Sequence, residues 1–371
     1  MKRIISLAAI AFTAFACTSS PKLLDPAAFT DEIDGAPVSL YTLKGGDLTL
    51  QATNFGAHVV SLWAPDRKGC LADVSVGHAN LDGYVNFTGE RFLGAAVGPV
   101  ANRIAKGSFT IDGEQYQLPL NNDGNTLHGG FTGIDMLVWD VLGSTDSTLT
   151  MHLVHPDGLE GWPGNLDITM TYALTSKNEF KITYEATTDK ATPVNLSNHI
   201  FFNLTGDCSK TINDHRLTIN ASATTPVDAL LIPTGEVASV AGTPLDFRQE
   251  HAIGERVDED CEWLRNGHGY DHNWILDRSG DGVELAATLY EPVSGRVLEV
   301  LTDQPGIQFY GGNFFDGKTA DKYGNPINYR SALALETQKW PDGINHENFP
   351  ETLLRPGDVY TQTCIYRFSA R

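Results

Sequence analysis

A chain of 371 residues that is 41% hydrophobic can bury a large core, and all-β domains commonly reach this size undivided. Its 26 Lys and Arg against 46 Asp and Glu give a formal charge of −20, which argues against a nucleic-acid partner, because neutralising phosphates needs clustered cations. A neutral or weakly charged small molecule fits that balance better.

Lys2 and Arg3 precede an apolar run from Ile4 to Ala16 that is too short to span a bilayer, and Ala14-Phe15-Ala16 offers small residues before Cys17. Residues 1–16 therefore read as a secretory signal. Followed by Thr18-Ser19-Ser20-Pro21, Cys17 reads as the lipidated first residue of a bacterial lipoprotein. Ala14 stands where Leu is usual, and Ala-Phe-Ala would also suit ordinary signal peptidase. Loss of the leader leaves 24 basic against 46 acidic residues, a charge of −22. Cys70, Cys208, Cys261 and Cys364 are far apart and form no Cys-x-x-Cys pair, so export permits disulfides without demanding them, and no zinc spacing is present. Residues 17–34 read as a polar linker, and 35–371 as one domain.

Within that domain, period-2 alternation recurs. Leu48-Thr49-Leu50-Gln51-Ala52 begins it. Ile168, Met170, Tyr172 and Leu174 continue it, then Phe180, Ile182 and Tyr184, then Val283, Leu285, Ala287 and Leu289, and finally Cys364, Tyr366 and Phe368. Each reads as a half-buried strand. Asp112-Gly113 between two short strand patterns predicts a tight hairpin. Arg248 to Val257 is the best helical candidate. With 36 Gly and 18 Pro as punctuation, the fold class is all-β, a single large antiparallel β-sandwich.

Asn195 to Leu204 embeds His199 among apolar residues and three amides, a setting for proton exchange or for a satisfied core histidine. Gly94 to Ile104 lacks the Gly-Lys-Ser/Thr ending of a phosphate loop, which leaves Asn102 and Arg103 as a hydroxyl-binding pair or as an arginine in a surface ion pair. His128 sits beside Gly129 and Gly130, where it projects into a cleft or completes its own loop. Gly269-Tyr270-Asp271-His272-Asn273-Trp274 combines an acid with aromatic rings, suited to gripping a sugar's hydroxyls and its C–H face. The alternative for that segment is a solvated loop with a Trp anchor. Gln308 and Asn313 interrupt an apolar strand and require partners. Glu336, in Leu333-Ala334-Leu335-Glu336-Thr337-Gln338, is a carboxylate in the middle of an apolar strand, where an acid is almost never buried without a partner or a function. It is a candidate general base and supplies His199 with a partner.

Asn54-Phe55-Gly56-Ala57, Ala-Asn-Arg-Ile at 101–104, Leu-His-Gly-Gly at 127–130, Asn-His-x-x-Phe-Asn-Leu at 198–204, Gly-Tyr-Asp-His-Asn at 269–273 and Leu-Glu-Thr-Gln at 335–338 occur in an order that resembles the aldose 1-epimerase family, the galactose mutarotases. The resemblance covers nearly all of the mature chain. It implies an antiparallel β-sandwich with an open cleft, free aldohexoses as substrates, and no metal or cofactor. It also implies Glu336 as general base, His199 as general acid, and Asn102, Arg103, His128, Asp271 and Gln308 as sugar-binding residues, with Phe202 lining the site. Three positions depart from the family pattern: Pro99 for an arginine, Phe201 for a tyrosine and Ser197 for a threonine. Phe201 lacks a hydroxyl that bears on sugar preference. Competing readings are a non-catalytic carbohydrate-binding protein, which has no need of an acid and a base together, and a hexose-phosphate epimerase or glycoside hydrolase. The last would require two carboxylates flanking the bond.

Overall fold

Residues 20–371 are described by the computed structural model, so the leader and Cys17 lie outside the described residues. Alternation in sequence becomes alternation in burial along the long strands. Leu166–Leu174 pairs antiparallel with Glu179–Thr188 over its full length, and Tyr360–Ala370 pairs with the other edge of Glu179–Thr188. Ile168, Met170, Tyr172, Phe180, Ile182, Tyr184, Cys364, Tyr366 and Phe368 turn to one face, none more than 3% exposed. Each large apolar side chain on that face contributes about 1.5–3 kcal/mol of burial free energy.

These strands form the middle of a nine-stranded antiparallel sheet. A six-stranded sheet, with Leu333–Gln338, Gly306–Tyr310 and Asp271–Leu276 adjacent, and a four-stranded sheet over residues 40–73 face it. One apolar cluster runs through all three, from Leu50 and Val59 to Tyr172, Tyr366, Ile307 and Leu335. Tyrosine hydroxyls from the large sheet cross this interface: Tyr172 donates to Ala57 O at 2.7 Å and Tyr366 to Leu335 O at 3.0 Å. The fold is thus an all-β antiparallel sandwich. The Asp112-Gly113 turn has φ of 51° and 87° and joins Ile111 to its partner Glu114, as its hairpin signature predicts. No helix among the described residues is long and apolar enough to cross a membrane.

Four expectations change. Residues 17–34 are not linker throughout. Pro26–Phe29 forms a 3₁₀ turn that buries Phe29 completely, and Asp31–Ile33 pairs with Ala36–Val38. Leu48–Thr53 is buried on both faces, because this N-terminal segment covers it, Leu24 exchanging backbone hydrogen bonds with the Gln51 amide. In Glu284–Tyr290 a bulge between Leu285 and Ala287 reverses the facing: Val283 and Leu285 are exposed while Ala287 and Leu289 are buried. Arg248 to Val257 is not a helix, since His251–Ala252 is drawn into the large sheet beside Arg216–Leu217 and leaves only a 3₁₀ turn at Ile253–Glu255. Cys208, Cys261 and Cys364 are free thiols.

Candidate active site

Three adjacent strands set the acidic floor. Register places Asn273 opposite Gln308 and Gln308 opposite Glu336, and Asp271, two residues before Asn273, shares their face. Gln308 Nε2 donates to Asp271 Oδ1 at 2.7 Å. His199 arrives from a separate short strand, Ser197–His199, paired with Ala95–Val97. Ser197 Oγ donates to Thr337 O at 3.0 Å, so the histidine strand is tied to the residue next to Glu336. Tyr184 OH donates to Ser197 O at 3.0 Å and fixes the same strand from the large sheet. His199 Nε2 consequently stands 3.5 Å from Glu336 Oε1, with both side chains nearly sealed from solvent.

The opposite wall comes from two loops locked together by their own backbones. Asn102 and His128 both have positive φ, 60° and 49°, and exchange hydrogen bonds: Asn102 N–H donates to His128 Nδ1 and His128 N–H to Asn102 O, each at 3.0 Å. Asn102 Oδ1 accepts the Arg103 N–H at 2.8 Å, and Arg103 Nε donates to Asn122 Oδ1 at 3.0 Å. Arg103 is 7% exposed and has no ion pair among the described residues, so its remaining donors are available to a ligand. The His128 ring meets His199 edge-on at 5.2 Å, and Phe92 packs against both imidazoles.

The donor atoms of His128, His199 and Glu336 lie within 4.8 Å of one another, close enough to hold a metal ion. The tautomer opposes it. His128 Nδ1 accepts a backbone N–H, so a neutral ring carries its proton on Nε2, and that nitrogen donates a hydrogen bond instead of a lone pair.

These residues surround a cavity of about 300 Å³, also lined by Glu90, Phe92, Tyr310, Phe314 and His268, within the range of small-molecule sites. Burial dominates its electrostatics. Desolvation, reinforced by Asp271 and Glu90, raises Glu336 well above the ordinary carboxylate range, against the pull of Arg103. Desolvation pushes His199 down to about 3 and lowers His128 as well. Asp271 is raised by burial, with Arg103 and Gln308 opposing. The site can exchange protons through an imidazole and a carboxyl that both favour their neutral forms.

A family model described as aldose 1-epimerase matches residues 39–367. The chain belongs to the aldose 1-epimerase family. It is 44% identical to mouse galactose mutarotase over 335 residues, covering 90% of this chain and 95% of that one. It is 38% identical over 340 residues to the aldose 1-epimerase of Escherichia coli strain K12, covering 91% and 97%. Among solved structures, an aldose epimerase homologue from C. elegans superposes with a TM-score of 0.83 at 28% identity, covering 90% of this chain and 99% of that one.

In this aldose 1-epimerase family member, Asn102, Arg103, His128, His199, Asp271 and Glu336 line one cavity, with Gln308 behind Asp271. Phe202 does not join them. It is fully buried between the sheets against Tyr366 and Phe368, because it alternates with Phe201 on a strand whose far face is core. The aromatic residues of 270–274 are also core: Trp274 is fully buried, and Tyr270 stacks on Phe309. His272 turns away and meets Trp263 O at 3.0 Å. The rings that reach the cavity are Phe92, Tyr310 and Phe314. Tyr310 was legible, being two residues from Gln308 and on its face; Glu90 and Phe92 lie in irregular backbone without a periodic signal. Among the departures, Phe201 is buried behind His199 at 4.8 Å between ring centres and does not line the cavity, while Ser197 keeps the hydroxyl its position uses. Asn198 and Asn203 serve as scaffold, donating to Tyr172 OH and to Ser331 O.

Proposed function

We propose that the chain interconverts the α and β anomers of free aldohexoses such as galactose and glucose, with Glu336 as base and His199 as acid. The buried 3.5 Å contact between them carries this reading. Glu336 takes the proton of the anomeric hydroxyl as His199 protonates the ring oxygen, and the ring opens to an aldehyde. Rotation about the bond between the first two sugar carbons presents the other carbonyl face. Reclosure with the proton roles exchanged yields the other anomer, and no covalent bond to the protein forms. Arg103, the only Lys or Arg among the residues described around the cavity, offsets charge developing on oxygen. A lone cation suits an uncharged sugar better than a phosphorylated one.

Asn102, His128 and Asp271, the last braced by the Gln308 amide, hold the remaining hydroxyls and keep the open chain from diffusing away. The test is polarimetry on fresh α-galactose and α-glucose. Wild type shortens the approach to anomeric equilibrium, and Glu336→Gln loses about 10²–10⁴-fold in kcat. Full acceleration by Glu336→Gln removes the base assignment.

The charged and apolar pattern of residues 1–16 supports export, and Cys17 after it supports anchoring by lipid in a bacterial envelope. Labelled fatty acid should enter the full-length protein and not its Cys17→Ser variant; incorporation that persists in the variant defeats the anchor.

A further inference from the structure

Glu90 has no role in the proton transfers described above, yet it occupies the cleft wall. It lines the cavity that holds Glu336 and Asp271, and also a second cavity of about 430 Å³ adjoining the first. Five residues line both, Glu90, Phe92, Asn122, Leu127 and Phe314, and Glu90 alone of them is ionisable.

Its carboxylate is held but not used up. Oε1 accepts the Phe92 N–H at 3.0 Å, which ties it to the backbone that packs Phe92 against the two imidazoles. No other hydrogen bond and no ion pair reaches it from the described residues. The adjacent cation is committed elsewhere. Arg91 donates through Nε and Nη2 to Asp135 at 2.7 and 2.8 Å, and through Nη1 to Gly130 O at 2.9 Å. A half-buried carboxyl on the cavity wall, with one oxygen lacking a donor among the described residues, is placed to accept hydrogen bonds from whatever fills the cavity. Burial, with Asp271 nearby, raises its pKa, as expected of an acid without a counter-ion.

We propose that Glu90 is a further substrate-binding residue that sets sugar preference, its free carboxyl oxygen hydrogen-bonding a hydroxyl other than the anomeric one. This rests on the mutarotase reading, in which Glu336 engages the anomeric hydroxyl. A hydrogen bond to a charged group discriminates by roughly 10- to 100-fold, so Glu90 separates sugars that place this hydroxyl on its side from those that do not.

The test compares wild type, Glu90→Ala and Glu90→Gln by polarimetry on galactose and its 2-, 3-, 4- and 6-deoxy derivatives. Glu90→Ala should raise KM for galactose about tenfold with kcat little changed. Glu90→Gln retains an acceptor for the Phe92 N–H and should recover part of the loss. One deoxy sugar, lacking the hydroxyl that Glu90 holds, should be insensitive to Glu90→Ala while the others stay sensitive. An equal loss on every sugar, or none on any, overturns the assignment. If wild type accelerates no sugar, the mutarotase reading fails instead, and the same pattern in calorimetric affinities decides whether Glu90 contacts a hydroxyl.

Discussion

At His199 and Glu336 the decisive quantity is the number of protons on the pair. Base-plus-acid catalysis needs one, as carboxylate beside imidazolium; burial favours the isomer with that same proton on Glu336 and a neutral His199. Hydrogen bonds to the sugar and the field of Arg103 need only move the proton across 3.5 Å. The signs then set the pH dependence. A depressed His199 means the pair gains a second proton only as pH falls toward about 3, below the ordinary histidine value of 6.5. A raised Glu336 means the single proton is lost only above the ordinary carboxylate range. Enzyme-dependent mutarotation, corrected for the spontaneous rate, should show no fall centred near 6.5 as the pH is lowered. A fall centred near that value would show that His199 titrates as an exposed imidazole.

Two strands that never pair through His199 and Glu336 are aligned by side chains at the scale of elements. The Ser197 hydroxyl on Thr337 O, the Tyr184 hydroxyl on Ser197 O and the Tyr366 hydroxyl on Leu335 O hold the His199 and Glu336 backbones in one frame. Ser197→Ala removes one tie while Gln362 Nε2 still satisfies Thr337 O at 2.8 Å. The expected loss is about 1 kcal/mol of stability by denaturant titration. A kcat fall of about tenfold with smaller change in KM should accompany it, since small misplacements cost orders of magnitude in rate. The stability loss without a rate effect would show that the strand is positioned without Ser197.

Alternation already separates Asp271 and Asn273 from His272 and Trp274, so the division of that stretch between cavity and core was legible, although the reading of its acid and aromatic rings as one sugar grip passed over it. The bulge at Leu285/Ala287 was not, because an extra residue leaves the apolar pattern intact while reversing which side of it meets the core. Phe202 shows the same limit: an aromatic residue three positions from His199 faces away from it, and only the neighbouring sheet reveals this.

Over the whole molecule, the site lies where loops on one side of the smaller sheet close over its inward acids, distant in sequence from one another. Residue types and period determined the sandwich, the buried Glu336 and the ordered set of polar segments, because burial of alternating apolar side chains is a local pattern with a global consequence. Residue types also left two roles for His128, in the cleft or in its own loop. Tertiary structure makes it do both, one ring nitrogen taking the Asn102 N–H and the ring lining the cavity. Which side chains share a cavity and how far apart Glu336 and His199 stand depend on packing between strands more than a hundred residues apart. No short-range pattern encodes those distances, so tertiary structure alone brings His199 to Glu336 and leaves one oxygen of Glu90 without a donor among the described residues.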